Sequence, residues 1–112
     1  MLFDTHAHLN DPAFDPDREE LMASFASAGV GLVMNAGCSL ESSRDIVAMA
    51  EKYPWLYASV GSHPDSADEV NDAVLAEYEK LCKTLIENNI HFTIENNFSN
   101  KEILLIIKKR MA

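Results

Sequence analysis

The sequence predicts an α/β fold in which four βα units follow one another and their strands form a parallel sheet. Three observations predict it. Short apolar runs suited to strands alternate with longer stretches at helical spacing. Each strand run ends in a cluster of polar residues, glycine or proline. Consecutive parallel strands require crossover connections of helical length, and these are present between every pair.

The elements are read in order. Leu2 to His8 alternates and then turns polar at Asn10-Asp11-Pro12, a short strand with its polar residues at its C-terminal end. Asp15-Pro16-Asp17 predicts a helix start, with Asp15 as N-cap and Pro16 at the first helical position. Leu21, Phe25 and Ala28 then share a face, Met22 lies beside them, and Gly29 stops the helix. Val30 to Asn35 is a second strand run, ending at Ala36-Gly37. Ser39 to Tyr53 reads as a helix burying Ile46, Met49, Ala50 and Tyr53, with Pro54 as its stop.

Trp55 to Val60 is a third strand run, closed by Gly61-Ser62-His63-Pro64. From Asp72, the apolar residues Val74, Leu75, Tyr78, Leu81, Cys82, Leu85 and Ile86 mark an amphipathic helix that Asn88-Asn89 would end. Ile90 to Glu95 alternates strictly, with Ile90, Phe92 and Ile94 on one face. Ser99-Asn100-Lys101-Glu102 fits a capping box for a last helix, ending near Lys108, Lys109 and Arg110. Periodicity alone leaves two arrangements open: an open doubly wound sheet and half of an eight-stranded barrel.

Length and composition narrow the function classes. With 112 residues, 47% apolar and 24% charged, the chain has room for one domain, residues 1–112, and one core. Nine basic against eighteen acidic residues give a net charge of -9, which opposes non-specific coating of a polyanion. A metal-centred site gripping one phosphate is compatible with that charge, because a bound cation dominates its local field. The longest apolar run, Ile103 to Ile107, is far short of the roughly 20 residues of a membrane span. Cys38 and Cys82 lack a CxxC spacing and follow no secretory signal, so both are expected to be reduced thiols in a cytoplasmic protein.

The histidines carry the chemistry. His6 and His8 stand two apart on a predicted strand, so their rings face the same way, with Asp4 on that face by the same period. Two such imidazoles hold one divalent ion, and the Asp4 carboxylate is placed to orient a ring from the second shell. Spacing alone is equally compatible with polar residues ending a strand. Position favours a site, because parallel α/β proteins build sites at the C-terminal ends of their strands. His63 ends the third strand run and converges on the same rim. Taken singly, it reads as a turn histidine set by Pro64. Cys38 has no base paired with it in sequence and is read as a packing thiol. The acidic stretch Asp65 to Asp72 is read as solvated loop and helix start.

Phe3-Asp4-Thr5-His6-Ala7-His8-Leu9, then Asp11, Phe14-Asp15, Gly37-Cys38 and Gly61-Ser62-His63-Pro64, in this order and spacing, resemble the N-terminal part of TatD-family deoxyribonucleases and related metallohydrolases. The match spans about residues 1–83. The resemblance implies the N-terminal half of a TIM-type (β/α)8 barrel. It also implies one or two divalent ions (Mg, Mn or Zn) at the C-terminal rim and hydrolysis of phosphodiester bonds, with DNA as substrate. In that reading His6 and His8 match the first two metal ligands, and His63 matches a histidine near the substrate phosphate. No residue is assigned as a catalytic acid or base.

The chain departs from the family at its fourth strand. There the family carries Gly-Glu-Ile-Gly-Leu-Asp, with a metal-bridging Glu, and this sequence has Thr93-Ile94-Glu95-Asn96-Asn97. Glu95 stands at about the place of the bridging residue; its alternative is a solvated glutamate ending a strand. Residues 84–112 form a divergent tail, rich in Ile where the preceding sequence is rich in Ala, as a truncation or frameshift junction would produce. A barrel needs about 250 residues. Half of one exposes strand edges, so little activity alone and a homodimer through those edges are expected. The competing reading is a non-catalytic α/β binding or assembly module.

Overall fold

The computed structural model describes residues 1–94. Strand β1 (Leu2–Ala7) is followed by a 3-10 turn at Pro12–Phe14 and the short helix α1 (Arg18–Ala23). Next come β2 (Val30–Ala36), α2 (Leu40–Lys52), β3 (Leu56–Val60), a 3-10 segment at Pro64–Glu69, α3 (Asp72–Glu87) and β4 (Phe92–Ile94). The four strands form one parallel sheet in the order β1-β2-β3-β4.

That order decides between the two arrangements left open by periodicity. A doubly wound sheet reverses its strand order at a switch point, which sends helices to both faces. Here each strand pairs with the next, and right-handed crossovers then place successive helices on the same face. The packing agrees. Ile46, Val47 and Ala50 of α2, Ala58 and Val60 of β3, and Tyr78, Cys82 and Leu85 of α3 form one buried cluster. Leu9, Met22, Val33 and Leu56 form a second beside it. Complete burial of a side chain the size of Ile46, Leu56 or Leu85 contributes about 1.5–3 kcal/mol.

Along β3, Leu56, Ala58 and Val60 are buried while Tyr57 and Ser59 are only half-buried on the opposite face. The Tyr57 ring there meets Phe3 edge-on at 5.8 Å and His91 at 4.9 Å.

Helix α2 begins as expected, with the Ser39 side chain accepting the Ser42 N–H and the Ser42 side chain returning to the Ser39 N–H. Helix α3 is capped by Asn71, one residue before the expected start, and Asn89 leaves it with a φ of 54°. Ile90, Phe92 and Ile94 all pack against the larger cluster, as their alternation required. The first helix differs. Asp15 closes the 3-10 turn, and α1 starts from Asp17 and buries Met22, while Ala28 is exposed. Asp15 has helical backbone angles (φ -49°, ψ -42°) that an N-cap does not take, and its carboxylate pairs with the Arg18 guanidinium at 2.6 Å. Glu95 and the helix expected from Ser99 to Arg110 lie outside the described residues.

Candidate metal centre

Because the strands are parallel, the residues following β1, β2 and β3 emerge on one rim. His6, His8, Ala36, Gly37, Cys38, His63, Asp65 and Ser66 line a single cleft there of about 440 Å³. The three histidines that the sequence singles out therefore share one cleft.

His6 and His8 converge through their Nε2 atoms, which stand 3.1 Å apart with the rings nearly perpendicular at 85°. Two ring nitrogens each about 2.1 Å from one ion at a near-tetrahedral angle are separated by about 3.4 Å. The observed spacing is close to that. His8 Nδ1 lies 2.9 Å from the Ala36 carbonyl oxygen, which only accepts. His8 is thereby assigned as the Nδ1–H tautomer, and the lone pair of its Nε2 faces His6. With His8 Nε2 as the acceptor, the His6 Nε2–H donates to it. An ion taking the place of that proton would be held by both rings, so the donor set fits a divalent cation. Among the described residues no group of three or more His, Cys, Asp or Glu side chains is arranged to hold a metal ion. The two rings are thus a partial seat.

Asp4 sits differently from its expected place. The register between β1 and β2 shifts between Asp4 and Ala7, three steps on β1 matching two on β2, so strict alternation does not carry from Asp4 through the histidines. The Asp4 carboxylate accepts the His6 backbone N–H at 3.1 Å. It steadies the main chain of a ligand residue.

His63 follows β3, and its N–H donates to the Cys38 carbonyl at 2.9 Å, which ties the third loop to the second. Its Nδ1 accepts the Asp65 N–H at 3.1 Å, and Asp65 Oδ2 stands 3.4 Å from the same nitrogen. The two contacts require opposite protonation. We favour the shorter, backbone bond, because Asp65 is 93% exposed and its carboxylate is well solvated. With Nδ1 accepting, Nε2 is the ring nitrogen that carries hydrogen and can donate. Cys38 is a free, exposed thiol whose Sγ accepts from the Ser42 hydroxyl at 3.7 Å.

Three residues that the sequence reading did not single out hold this rim. Asn35, fully buried, accepts the Leu9 N–H at 2.8 Å. Arg18 donates to the Leu9 carbonyl at 2.6 Å and to the Asp11 carbonyl at 2.9 Å. Glu69, read within a solvated acidic stretch, accepts from the Leu40 N–H at 2.8 Å and from the Ser62 hydroxyl at 2.6 Å. Ser62 is buried beside the Tyr78 hydroxyl, 2.7 Å away, and burial raises that phenol above its ordinary range. The signals were faint: Asn35 is a lone amide in an apolar run, and Arg18 is the first cation of the chain.

Comparison with known proteins agrees with this geometry. The family profile described as TatD related DNase matches residues 3–91. The chain is 35% identical over 81 residues to the uncharacterized metal-dependent hydrolase YabD of Bacillus subtilis, covering 72% of this chain and 32% of that protein. It is 34% identical over 81 residues to the 3′-5′ ssDNA/RNA exonuclease TatD of Cronobacter sakazakii, covering 72% and 31%. The crystal structure of YJJV, a TatD homolog from Escherichia coli K12, superposes with a TM-score of 0.63 at 20% identity, over 96% of this chain and 55% of that one. The chain spans about a third of the length of the curated relatives it matches. Strand order, the rim histidines and these matches agree, and the chain belongs to the TatD related DNase family.

Proposed function

We propose that this chain carries the first part of a metal-dependent hydrolase site acting on phosphodiester bonds, with DNA or a related single-stranded nucleic acid as substrate. The observation that supports it most is the pair of Nε2 atoms 3.1 Å apart, one with its tautomer set by the Ala36 carbonyl. His6 and His8 would hold one divalent ion, Mg, Mn or Zn, and Glu95 is the candidate for a bridging ligand if a second is bound. When bound, such an ion supplies an activated water and offsets charge building on phosphoryl oxygens. His63, through Nε2–H, would donate to a substrate phosphate oxygen in the same cleft. Asp4 would keep the His6 main chain in place.

The relative named as a 3′-5′ ssDNA/RNA exonuclease supports the substrate class. With a net charge of -9, contact with the polyanion would be confined to the metal-bearing rim. Both cysteines are free among the described residues, and no described helix is long and apolar enough to cross a membrane. The free thiols support a cytoplasmic setting. In the same reading residues 1–112 are one partial barrel, with a tail from about residue 84 that departs from the family pattern at Thr93-Ile94-Glu95-Asn96-Asn97.

The test pairs binding with turnover. Zn²⁺ or Mn²⁺ titrated into the protein should bind, and His6→Ala and His8→Ala should each abolish it. Nucleotide release from a single-stranded oligonucleotide should stay near background, because two imidazoles leave phosphoryl charge poorly compensated. Robust metal-dependent release lost in the double variant would show a competent enzyme instead. Failure of both metals to bind would remove the reading. A second reading, assembly with another copy through the exposed strand edge, is favoured by the exposure of Leu2 (66%) and Phe3 (46%) on β1, an edge strand among the described residues.

A further inference from the structure

We propose that Asn35 and Arg18 form a clamp on the Leu9 backbone that positions the His8 ring. The inference rests on the metal reading only for its consequence, since the clamp itself is geometry. The peptide joining His8 to Leu9 is bonded at both ends: its carbonyl accepts the Asp11 N–H at 3.0 Å, and its N–H donates to Asn35 Oδ1 at 2.8 Å. The next carbonyl, that of Leu9, is taken by Arg18 Nε at 2.6 Å. With Leu9 only 5% exposed, neither of its polar groups has water as a ready substitute.

Ring and backbone are anchored by neighbours on one strand. Asn35 holds the peptide, and the adjacent Ala36 supplies the carbonyl that His8 Nδ1 reaches at 2.9 Å. Fixing the main chain beyond His8 therefore fixes how far the ring extends, which nitrogen is protonated, and that the other faces His6.

The cost of Asn35 argues that its carbonyl oxygen is what it is there for. The residue is fully buried, and the partner of its Nδ2 is Met49 Sδ at 3.6 Å, a weak acceptor. An apolar side chain would fill this site without burying an under-satisfied amide. It would leave the Leu9 N–H without its partner.

Nitrogen-15 NMR of the imidazole rings tests the clamp without metal, at a pH well above the ordinary histidine range. The wild-type His8 should be predominantly the Nδ1–H tautomer. Asn35→Val should move it toward a tautomer mixture and weaken Zn²⁺ affinity about tenfold or more, as loss of an outer partner of a metal ligand does. Arg18→Lys keeps the charge, loses the fork, and should shift the His8 signals the same way; it decides the matter if Asn35→Val does not fold. Met49→Leu removes the Nδ2 contact and should leave His8 unchanged. A folded Asn35→Val or Arg18→Lys that is less stable but has a wild-type His8 spectrum would overturn the proposal. A wild-type ring of the expected tautomer that ignores Zn²⁺ would overturn the metal reading and leave the clamp standing.

Discussion

Gly37 and Ser43 are packed so closely that no side chain fits between them. A Cβ placed on Gly37 would stand 2.6 Å from Ser43 Oγ, 3.1 Å from Ser43 Cα and 3.2 Å from the Ser59 carbonyl. Ser43 is buried, and its hydroxyl oxygen accepts the Gly61 N–H at 3.2 Å. The contact thus joins the ends of β2 and β3 to the first turn of α2, directly beneath the rim that bears the histidines.

Gly37→Ala is expected to cost about 1–3 kcal/mol, the usual penalty of forcing an extra carbon into a packed interior. The backbone of Ser43 cannot yield as a flexible side chain would. Urea denaturation of the wild type and the variant measures the loss. Equal midpoints would show that the α2 end of the contact shifts freely.

Glu69 is expected to matter more than its acidic surroundings suggest. Glu69→Ala would strand the Leu40 N–H at the start of α2 and leave the Ser62 hydroxyl with one partner fewer, costing about 1–3 kcal/mol. Glu69→Gln keeps an acceptor oxygen and should recover most of that. What it lacks is the negative charge near the helix N-terminus, worth about 0.3–1 kcal/mol. Denaturant midpoints of the two variants separate hydrogen bonding from charge.

Alkaline pH is expected to weaken the fold through Cys82. Burial in the core, helped by the nearby Glu79 charge, pushes this thiol from 9.0 up to about 12. The folded state therefore favours the protonated form. That stability is complete below about pH 9 and is lost as pH rises toward 12, because the unfolded chain ionises first. Burial shifts Tyr78 in the same direction. Cys82→Ala should be less stable at neutral pH, yet its stability should fall less steeply above pH 9. Denaturation midpoints across this range read the slope; parallel curves for the two proteins would exclude Cys82 as a source.

The same features show what was legible in the sequence. Alternation placed Ile90, Phe92 and Ile94 on the core face because strand side chains alternate whatever the partner. Ser39 and Pro54 bracketed α2 because capping and proline act locally. The rim histidines were legible since parallel strands bring their C-terminal ends together. The start of α1 was misjudged because Asp15 is taken up by the end of the preceding 3-10 turn, and local pattern does not show where that turn gives way to the helix. Glu69 and Asn35 were missed for a related reason. Their bonds span 29 and 26 residues, and local pattern carries no information about partners at that distance.

The exposed edge strand β1 predicts self-association. β1 lies at one edge of the sheet among the described residues, and it exposes Leu2 at 66% and Phe3 at 46%. Edge strands with exposed apolar side chains invite pairing with another chain, and a charged residue such as lysine suppresses it. Phe3 also rests edge-on against Tyr57, a contact worth about 0.5–1.5 kcal/mol, so its replacement will cost some stability as well. Sedimentation velocity over a concentration series should show the wild type forming dimers or larger species, and Phe3→Lys shifting toward monomer. Leu2→Lys, which leaves the Phe3–Tyr57 contact intact, should act in the same direction and separates association from folding. A wild type that stays monomeric throughout would mean that this edge, though it exposes apolar side chains, does not bind a second copy.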